Sequence, residues 1–365
     1  MTVTGFRTAP NWARRQWGLV RIAATKAASV TRRTALRVRT RFRAGSAAPV
    51  GGADAAVDAG GRPGPAWTPP RERARRTGSG LPAVIAGLMA VASAAGLWWR
   101  GLYQDPEPVV AMLRGYDLVS LIIAVPALVA ALLRTRGGSA RADLVVGGLL
   151  GYAFYHYANF VLGTTFNALF LLHLAVFVLS GAALVQWLRG LDVAHLATRF
   201  RAATPARWIA GVLALLATTL GGMWIYYSVR FAISGATPGE SRLVLPVQAV
   251  HLGYVMDLAL LVPAYATAAA LLWRRKPWGY VAAAVLLVSA GMSQLDYMSA
   301  LLFQAAARLP GATAFDPAEP IIAGIIIGAA VALLGTIRDG DHRPEPVAAG
   351  AIPEAEEGRD GPAER

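Results

Sequence analysis

The sequence predicts an all-α fold, a polytopic transmembrane helical bundle of about eight spans with both termini on the same side. The 365 residues are 55% hydrophobic and 15% charged, with a mean hydropathy of +0.46, whereas about a quarter of the residues in soluble domains are charged. Apolar runs of about 20 residues, enough to cross ~30 Å of hydrocarbon, recur along the chain. No alternating strand pattern accompanies them, and lipid leaves backbone groups no water to bind, so the spans must be helices.

The spans divide the chain into three predicted regions. Residues 1–80 form a basic, disordered cytoplasmic tail, residues 81–337 the eight-helix transmembrane domain, and residues 338–365 an acidic, disordered cytoplasmic tail. The basic tail has the composition of a segment that contacts anionic lipid. The predicted spans are residues 81–99, 117–133, 144–163, 167–187, 208–228, 248–273, 279–303 and 318–337.

Basic side chains between the spans predict the orientation of the chain. The gaps after the second, fourth and sixth spans contain Arg134, Arg136, Arg141, Arg189, Arg199, Arg201, Arg207, Arg274, Arg275 and Lys276. The other gaps contain Arg100, Arg114, Arg230, Arg242 and Arg308. Because cytoplasmic loops carry the excess of Lys and Arg, both termini are predicted to be cytoplasmic.

The second and sixth spans resemble each other. Residues 121–133 read LIIAVPALVAALL and residues 258–272 read LALLVPAYATAAALL, with Pro126 and Pro263 at matching places. Spans four apart share an orientation, so the match fits a parallel four-plus-four duplication, and it also fits chance similarity between apolar segments. Each proline is expected to kink its helix.

Ionisable side chains inside the spans are the best pointers to function, because charge is costly in lipid. The candidate binding residues for a substrate or ion are His156, His173, Asp257 and Asp296, with Tyr152 and Asn159 as orienting partners. Three of them, Tyr152, His156 and Asn159, follow the spacing of one helix face. The two histidines flank the turn near Thr164 at equal distances, so their imidazoles are predicted to share one depth, in the outer half of the bilayer.

Other polar residues near the outer side are weaker candidates. His251 also falls at this depth, and Asp117 falls at the mouth of a span. Arg114 and Asp117 are three residues apart and are expected to pair with each other.

Four uses of these polar residues remain open at the level of sequence. They can handle a proton, cation or small solute, bind a metal or haem, catalyse a reaction, or bond neighbouring helices in an assembly or scaffold role. The chain has no cysteine and no phosphate-binding or zinc-protease motif. The sequence identifies no cofactor, indicates the lipid bilayer and not nucleic acid as a partner, and leaves the oligomeric state open.

Three segments carry a resemblance to a known family. They are residues 114–117 (RGYD) leading to Pro126, residues 163–172 (GTTFNALFLL), and residues 257–280, which begin DLALLVP and end LLWRRKPWGY. Residues 101–290 resemble a family of uncharacterised bacterial multi-pass integral membrane proteins with no assigned activity. The resemblance implies a bacterial membrane protein and draws attention to Asp117, Asn167 and Asp257. Together with the helical spans, it predicts a protein of the bacterial inner membrane.

Overall fold

The computed structural model describes residues 80–236 and 242–338, except for the side chains of residues 247–249. The predicted basic tail (1–80) and acidic tail (338–365) lie almost entirely outside the described residues. Within the described residues the secondary structure is helical. The helices are α1 (Gly80–Trp98), α2 (Glu107–Val119), α3 (Val125–Arg136), α4 (Ala140–Leu162), α5 (Phe170–Gly190), α6 (Val193–Thr198), α7 (Ala206–Ser234), α8 (Val247–Met256), α9 (Val262–Trp273), α10 (Pro277–Ala306) and α11 (Ala318–Gly335).

The predicted helical transmembrane bundle is confirmed. Seven helical spans in the described residues are long and apolar enough to cross a membrane: α1, α2 with α3, α5, α7, α8 with α9, α10 and α11. The described residues contain no β-strand. The predicted span at 144–163 corresponds to α4, which is not one of the seven. Its 23 residues are long enough, but Tyr152, His156 and Asn159 lower its hydropathy. The least apolar long helix therefore carries half of the predicted site.

The second span begins earlier than predicted. Helix α2 starts at Glu107, ten residues before the predicted start, and a short π-helical segment joins it to α3, so that one helical span runs to Arg136. Pro108 stands in the first turn, where its missing N–H leaves no helical bond unmade. The charged residues that lower the hydropathy include Asp117, which is 1% exposed. Burial in protein, not in lipid, lets this polar turn belong to the span.

Two five-residue π-helical segments interrupt the similar spans at the same place. Ser120–Ala124 separates α2 from α3, and Asp257–Leu261 separates α8 from α9. In each segment the N–H of the following valine bonds to the carbonyl five residues earlier, and a proline comes next. Proline cannot donate the usual i→i−4 bond, and a π turn accommodates this locally. The two segments thus align Ser120 with Asp257.

Helices α4 and α10 pack against each other at the centre of the bundle. Gly148 lets the side chain of Val288 approach α4 closely, and Gly115 on α2 lies against the backbone of Ala300 on α10. One apolar cluster gathers residues mainly of α1 to α5, and another gathers residues mainly of α6 to α11. The two central helices lie where these clusters meet.

The arginine-rich loops lie together at one end of the bundle. The Arg141 guanidinium donates to the carbonyls of Leu334 and Ile337 at 3.0 and 3.1 Å. Backbone bonds join the loop after α6 to the end of α11, from Arg338 N to Arg199 O at 2.9 Å. The loops that precede α2, α5 and α11 lie at the other helix ends, which are the predicted external ends.

Candidate functional site

Four side chains from three segments form a closed set of hydrogen bonds, which we call the buried tetrad: Ser120, Tyr152, His156 and Asp296. His156 bonds through Nε2 to Ser120 Oγ at 3.0 Å and through Nδ1 to Asp296 Oδ2 at 2.9 Å. Tyr152 OH donates to Asp296 Oδ1 at 3.1 Å and lies 3.1 Å from Ser120 Oγ. None of the four residues is more than 4% exposed.

The local structure of three segments explains why the tetrad closes. Tyr152 and His156 are one helical turn apart on α4 and therefore share a face. Asp296 comes from α10, which packs on that face. Ser120 is the first residue of a π-helical segment, and π turns change the direction in which a helix presents its side chains.

The tetrad lies closer to the predicted external ends of its helices. At about 1.5 Å per residue, His156 is about 9 Å from the end of α4 at Leu162, and Asp296 is about 15 Å from the end of α10 at Ala306. The rings of Tyr116, Tyr157 and Phe160 contact His156, with centroids 5.6, 5.2 and 5.1 Å away. Protein surrounds the His156–Asp296 pair on all of these sides.

The hydrogen count of the tetrad depends on one proton. Four contacts each need one hydrogen, whereas Ser120, Tyr152 and a neutral imidazole facing an ionised carboxylate supply three. A fourth hydrogen, shared between His156 Nδ1 and Asp296 Oδ2, completes the set: His156 Nε2 then donates to Ser120, Ser120 to Tyr152, and Tyr152 to Asp296. The same proton makes the pair electrically neutral overall, which matters in lipid.

Asp257 lies in a second site with aromatic partners. Tyr155 OH donates to its Oδ1 at 2.6 Å and Trp224 Nε1 donates to its Oδ2 at 2.8 Å. Tyr254 packs against Trp224 with ring centroids 4.1 Å apart and ring planes inclined at 31°. Asp257 is 8% exposed. This carboxylate does not bond to the tetrad, although Tyr155 and His156 are neighbours on α4.

Asp117 forms a third polar contact, nearer the predicted outer surface. Tyr103 OH donates to Asp117 Oδ2 at 2.6 Å, and Gly96 on α1 leaves room for this pair. The expected pairing of Asp117 with Arg114 is wrong, because the described ion pairs do not include it. Tyr103 reaches Asp117 from the loop between α1 and α2. Burial and the neighbouring Asp117 raise the pKa of Tyr103, which keeps the phenol a donor.

We expect Tyr103→Phe to lower the free energy of unfolding by about 1–3 kcal/mol, because it leaves a buried carboxylate without its donor. The quantity is measured by titration with dodecyl sulfate in mixed micelles. Tyr226→Phe is the matched control, since Tyr226 is 60% exposed, and it should change the free energy by less than about 0.5 kcal/mol. Equal effects of the two substitutions would contradict the role given to Tyr103.

His173 and Asn159 do not join the tetrad. His173 is fully buried, and neither ring nitrogen has a hydrogen-bond partner among the described residues. The rings of Tyr157 and Phe160 contact both His156 and His173. The two imidazoles thus meet a shared aromatic pair. Asn159 donates to the carbonyl of Tyr155 on its own helix at 3.1 Å.

The polar residues do not form a metal site in the part of the chain that the structure describes. No group of three or more His, Asp or Glu side chains there has an arrangement that can hold a metal ion. A cavity of about 300 Å³ lies at the outer ends of α1 and α5, lined by residues that include Trp99, Gln104, Phe166 and Asn167. No residue of the tetrad lines this cavity. His251, the remaining intramembrane histidine predicted from sequence, is exposed.

Four residues that bond to the buried polar side chains were not predicted from the sequence. Ser120 is one hydroxyl in an apolar run, and its only signal is its place before the repeated Val-Pro step. Tyr103, Tyr155 and Trp224 have the composition of ordinary interfacial or core aromatics. Their roles depend on the helix that faces each of them.

The chain was compared with known proteins in three ways. No family model matches it, and neither a curated protein nor a solved structure matches it.

Proposed function

We propose that this integral membrane protein takes up and releases a proton at the His156–Asp296 pair of the buried tetrad. The observation that supports the proposal is the hydrogen count: all four contacts of the tetrad are satisfied only when the pair holds one proton. Enclosure favours a proton over a larger ligand, because the four side chains bond directly to one another and are almost fully buried.

Loss of the proton has a defined structural consequence. With His156 Nδ1–H donating to Asp296, Nε2 becomes an acceptor and Ser120 must turn its hydroxyl hydrogen toward it. Tyr152 still donates to Asp296, so no hydrogen is left between Ser120 Oγ and Tyr152 OH, which lie 3.1 Å apart. Deprotonation thus loosens the contact between the π-helical segment and α4. A proton is thereby coupled to the relative position of two helices.

Proton release tests the proposal directly. After a rapid shift from about pH 7 to about pH 10 in weakly buffered micelles, an indicator dye should report about one more proton released per wild-type chain than per Asp296→Asn chain. Asp316→Asn is the matched control, because Asp316 pairs with Arg242 in an outer loop and does not belong to the tetrad. Equal proton release by wild-type and Asp296→Asn chains would contradict the proposal and leave the tetrad with only a role in helix packing.

We further propose that the protein lies in a bacterial inner membrane with both termini cytoplasmic and the tetrad toward the outer face. The alternating arginines support the orientation. The bacterial membrane is proposed on the sequence resemblance of residues 101–290 alone, since no family model matches the chain. In the same picture the basic N-terminal tail contacts anionic lipid.

Cysteine labelling should report this orientation, because the chain has no cysteine of its own. A membrane-impermeant maleimide is expected to label Ala314→Cys in intact cells. It should label Ala203→Cys, in the exposed loop after α6, only after the membrane has been permeabilised. The reverse pattern would place the tetrad near the cytoplasmic face.

A further inference from the structure

Asp257 is a buried carboxylate that has no cationic partner among the described residues. Neither of the ion pairs His156–Asp296 and Arg242–Asp316 includes Asp257, and the groups bonded to Asp257 are the neutral Tyr155 and Trp224. An ionised carboxylate inside a membrane is costly unless a positive charge balances it. Its two bonds use one acceptor position on each oxygen, so each oxygen keeps a further lone pair for a ligand.

Aromatic side chains surround this carboxylate. Trp224 and Tyr155 bond to it, and Tyr254 packs against Trp224 with ring centroids 4.1 Å apart. Ring faces attract organic cations through their negative quadrupole, and aromatic groups around a carboxylate suit an alkylated ammonium group. A hard cation such as Na⁺ or Ca²⁺ prefers a shell of several oxygens, which these indole and phenol rings do not provide.

The aromatic side chains of this site are partly exposed. Trp224, Tyr254 and Tyr155 come from α7, α8 and α4 and are each half-buried, whereas Asp257 behind them is 8% exposed. Asp257 is about 15 Å along its helix from Val247, at the predicted external end. A ligand can therefore contact the aromatic faces while its charge approaches the carboxylate.

We propose that Asp257, Trp224, Tyr254 and Tyr155 bind the alkylated ammonium group of an organic cation. The proposal goes beyond the proton site and does not depend on it, because these residues do not belong to the tetrad. Asp257 supplies the charge and the aromatic side chains supply the faces. Tyr155 and Trp224 also hold the carboxylate in place.

A pair of probes of equal shape separates charge from size. Choline and its uncharged carbon analogue 3,3-dimethylbutan-1-ol are offered to the purified full-length chain in lipid nanodiscs, and binding is followed by calorimetry. Choline should bind at least about tenfold more tightly than the analogue. Equal binding of the two probes, or displacement of choline by Na⁺ as effective as that by tetramethylammonium, would overturn the proposal.

Substitutions locate the binding. Asp257→Asn should weaken choline binding by about tenfold or more, and Tyr254→Leu should weaken it several-fold. Tyr226→Leu, on the exposed side of α7, is the matched control and should leave binding within about twofold. Tyr254→Leu keeps the test decisive if Asp257→Asn fails to fold, because Tyr254 does not bond to the carboxylate. Unchanged choline binding in Tyr254→Leu, or in a folded Asp257→Asn chain, would overturn the assignment.

The proton site and the ammonium site can be refuted independently of each other. His156→Phe should abolish the extra proton release and leave choline binding within about twofold. Asp257→Asn should weaken choline binding and leave the extra proton release unchanged. A chain that binds choline and releases no extra proton would keep this inference and refute the proposed function. Loss of choline binding in the folded His156→Phe chain would show that the cation binds at the tetrad, against the assignment to Asp257.

Discussion

Gly115→Ala should lower the free energy of unfolding by about 1–3 kcal/mol, and Gly115→Val should lower it further. A Cβ at this position would lie 2.7 Å from both the Cα and the backbone N of Ala300 on α10. Backbone atoms of a packed helix cannot turn aside as the end of a side chain can. Helices α2 and α10 would therefore have to separate. Titration with dodecyl sulfate in mixed micelles measures the loss.

The same separation should also disturb the tetrad. Gly115 precedes Ser120 by five residues, and Ala300 follows Asp296 by four, so the contact lies about one helical turn from the site. We expect Gly115→Ala to reduce the proton release attributed to Asp296. Gly211→Ala is the control, because nothing lies within 4 Å of its Cβ position on α7. If both glycine variants have the same stability, the close approach of α2 to α10 does not exist.

Asp296→Ala should destabilise the protein by about 3 kcal/mol or more, because it leaves His156 and Tyr152 buried without their shared acceptor. A single hydrogen bond between membrane helices contributes only about 0.6 kcal/mol. The larger loss follows from two broken bonds and a small cavity. Dodecyl sulfate titration measures this loss as well.

A second substitution distinguishes an unpaired polar group from lost volume. Asp296→Leu with His156→Phe removes both members of the pair and fills much of the space. It should recover at least about 1 kcal/mol of stability relative to Asp296→Ala, while abolishing the extra proton release. If the double variant is no more stable than Asp296→Ala, unpaired groups do not account for the loss.

Hydropathy predicts most of the fold, because lipid requires long apolar helices whatever their partners. The predicted spans at 81–99 and 318–337 correspond to Gly80–Trp98 and Ala318–Gly335. The start of α2 is missed because the hydropathy of a segment cannot show that Asp117 is buried in protein. The bend at each proline is expected from sequence, whereas the π turn before it depends on packing.

The site is only partly predictable, for a related reason. Helical spacing places Tyr152 and His156 on one face of α4, and the structure brings Asp296 to that face. The same spacing includes Asn159, which instead bonds to Tyr155 of its own helix. Ser120 and Trp224 reach the sites from helices whose rotation a single sequence does not reveal. Their side chains are polar enough to bond and apolar enough to pass as core residues.

Nitrogen-15 NMR of histidine-labelled protein tests the central claim most directly. The chain has five histidines, and His156→Phe identifies the His156 signals. The proposed tetrad requires Nε2 of His156 to carry a hydrogen at about pH 7 and to lose it in alkaline solution, when Ser120 becomes the donor. An Nε2 without hydrogen at pH 7, unchanged up to about pH 10, would contradict a proton held by the pair and leave a static bond between helices.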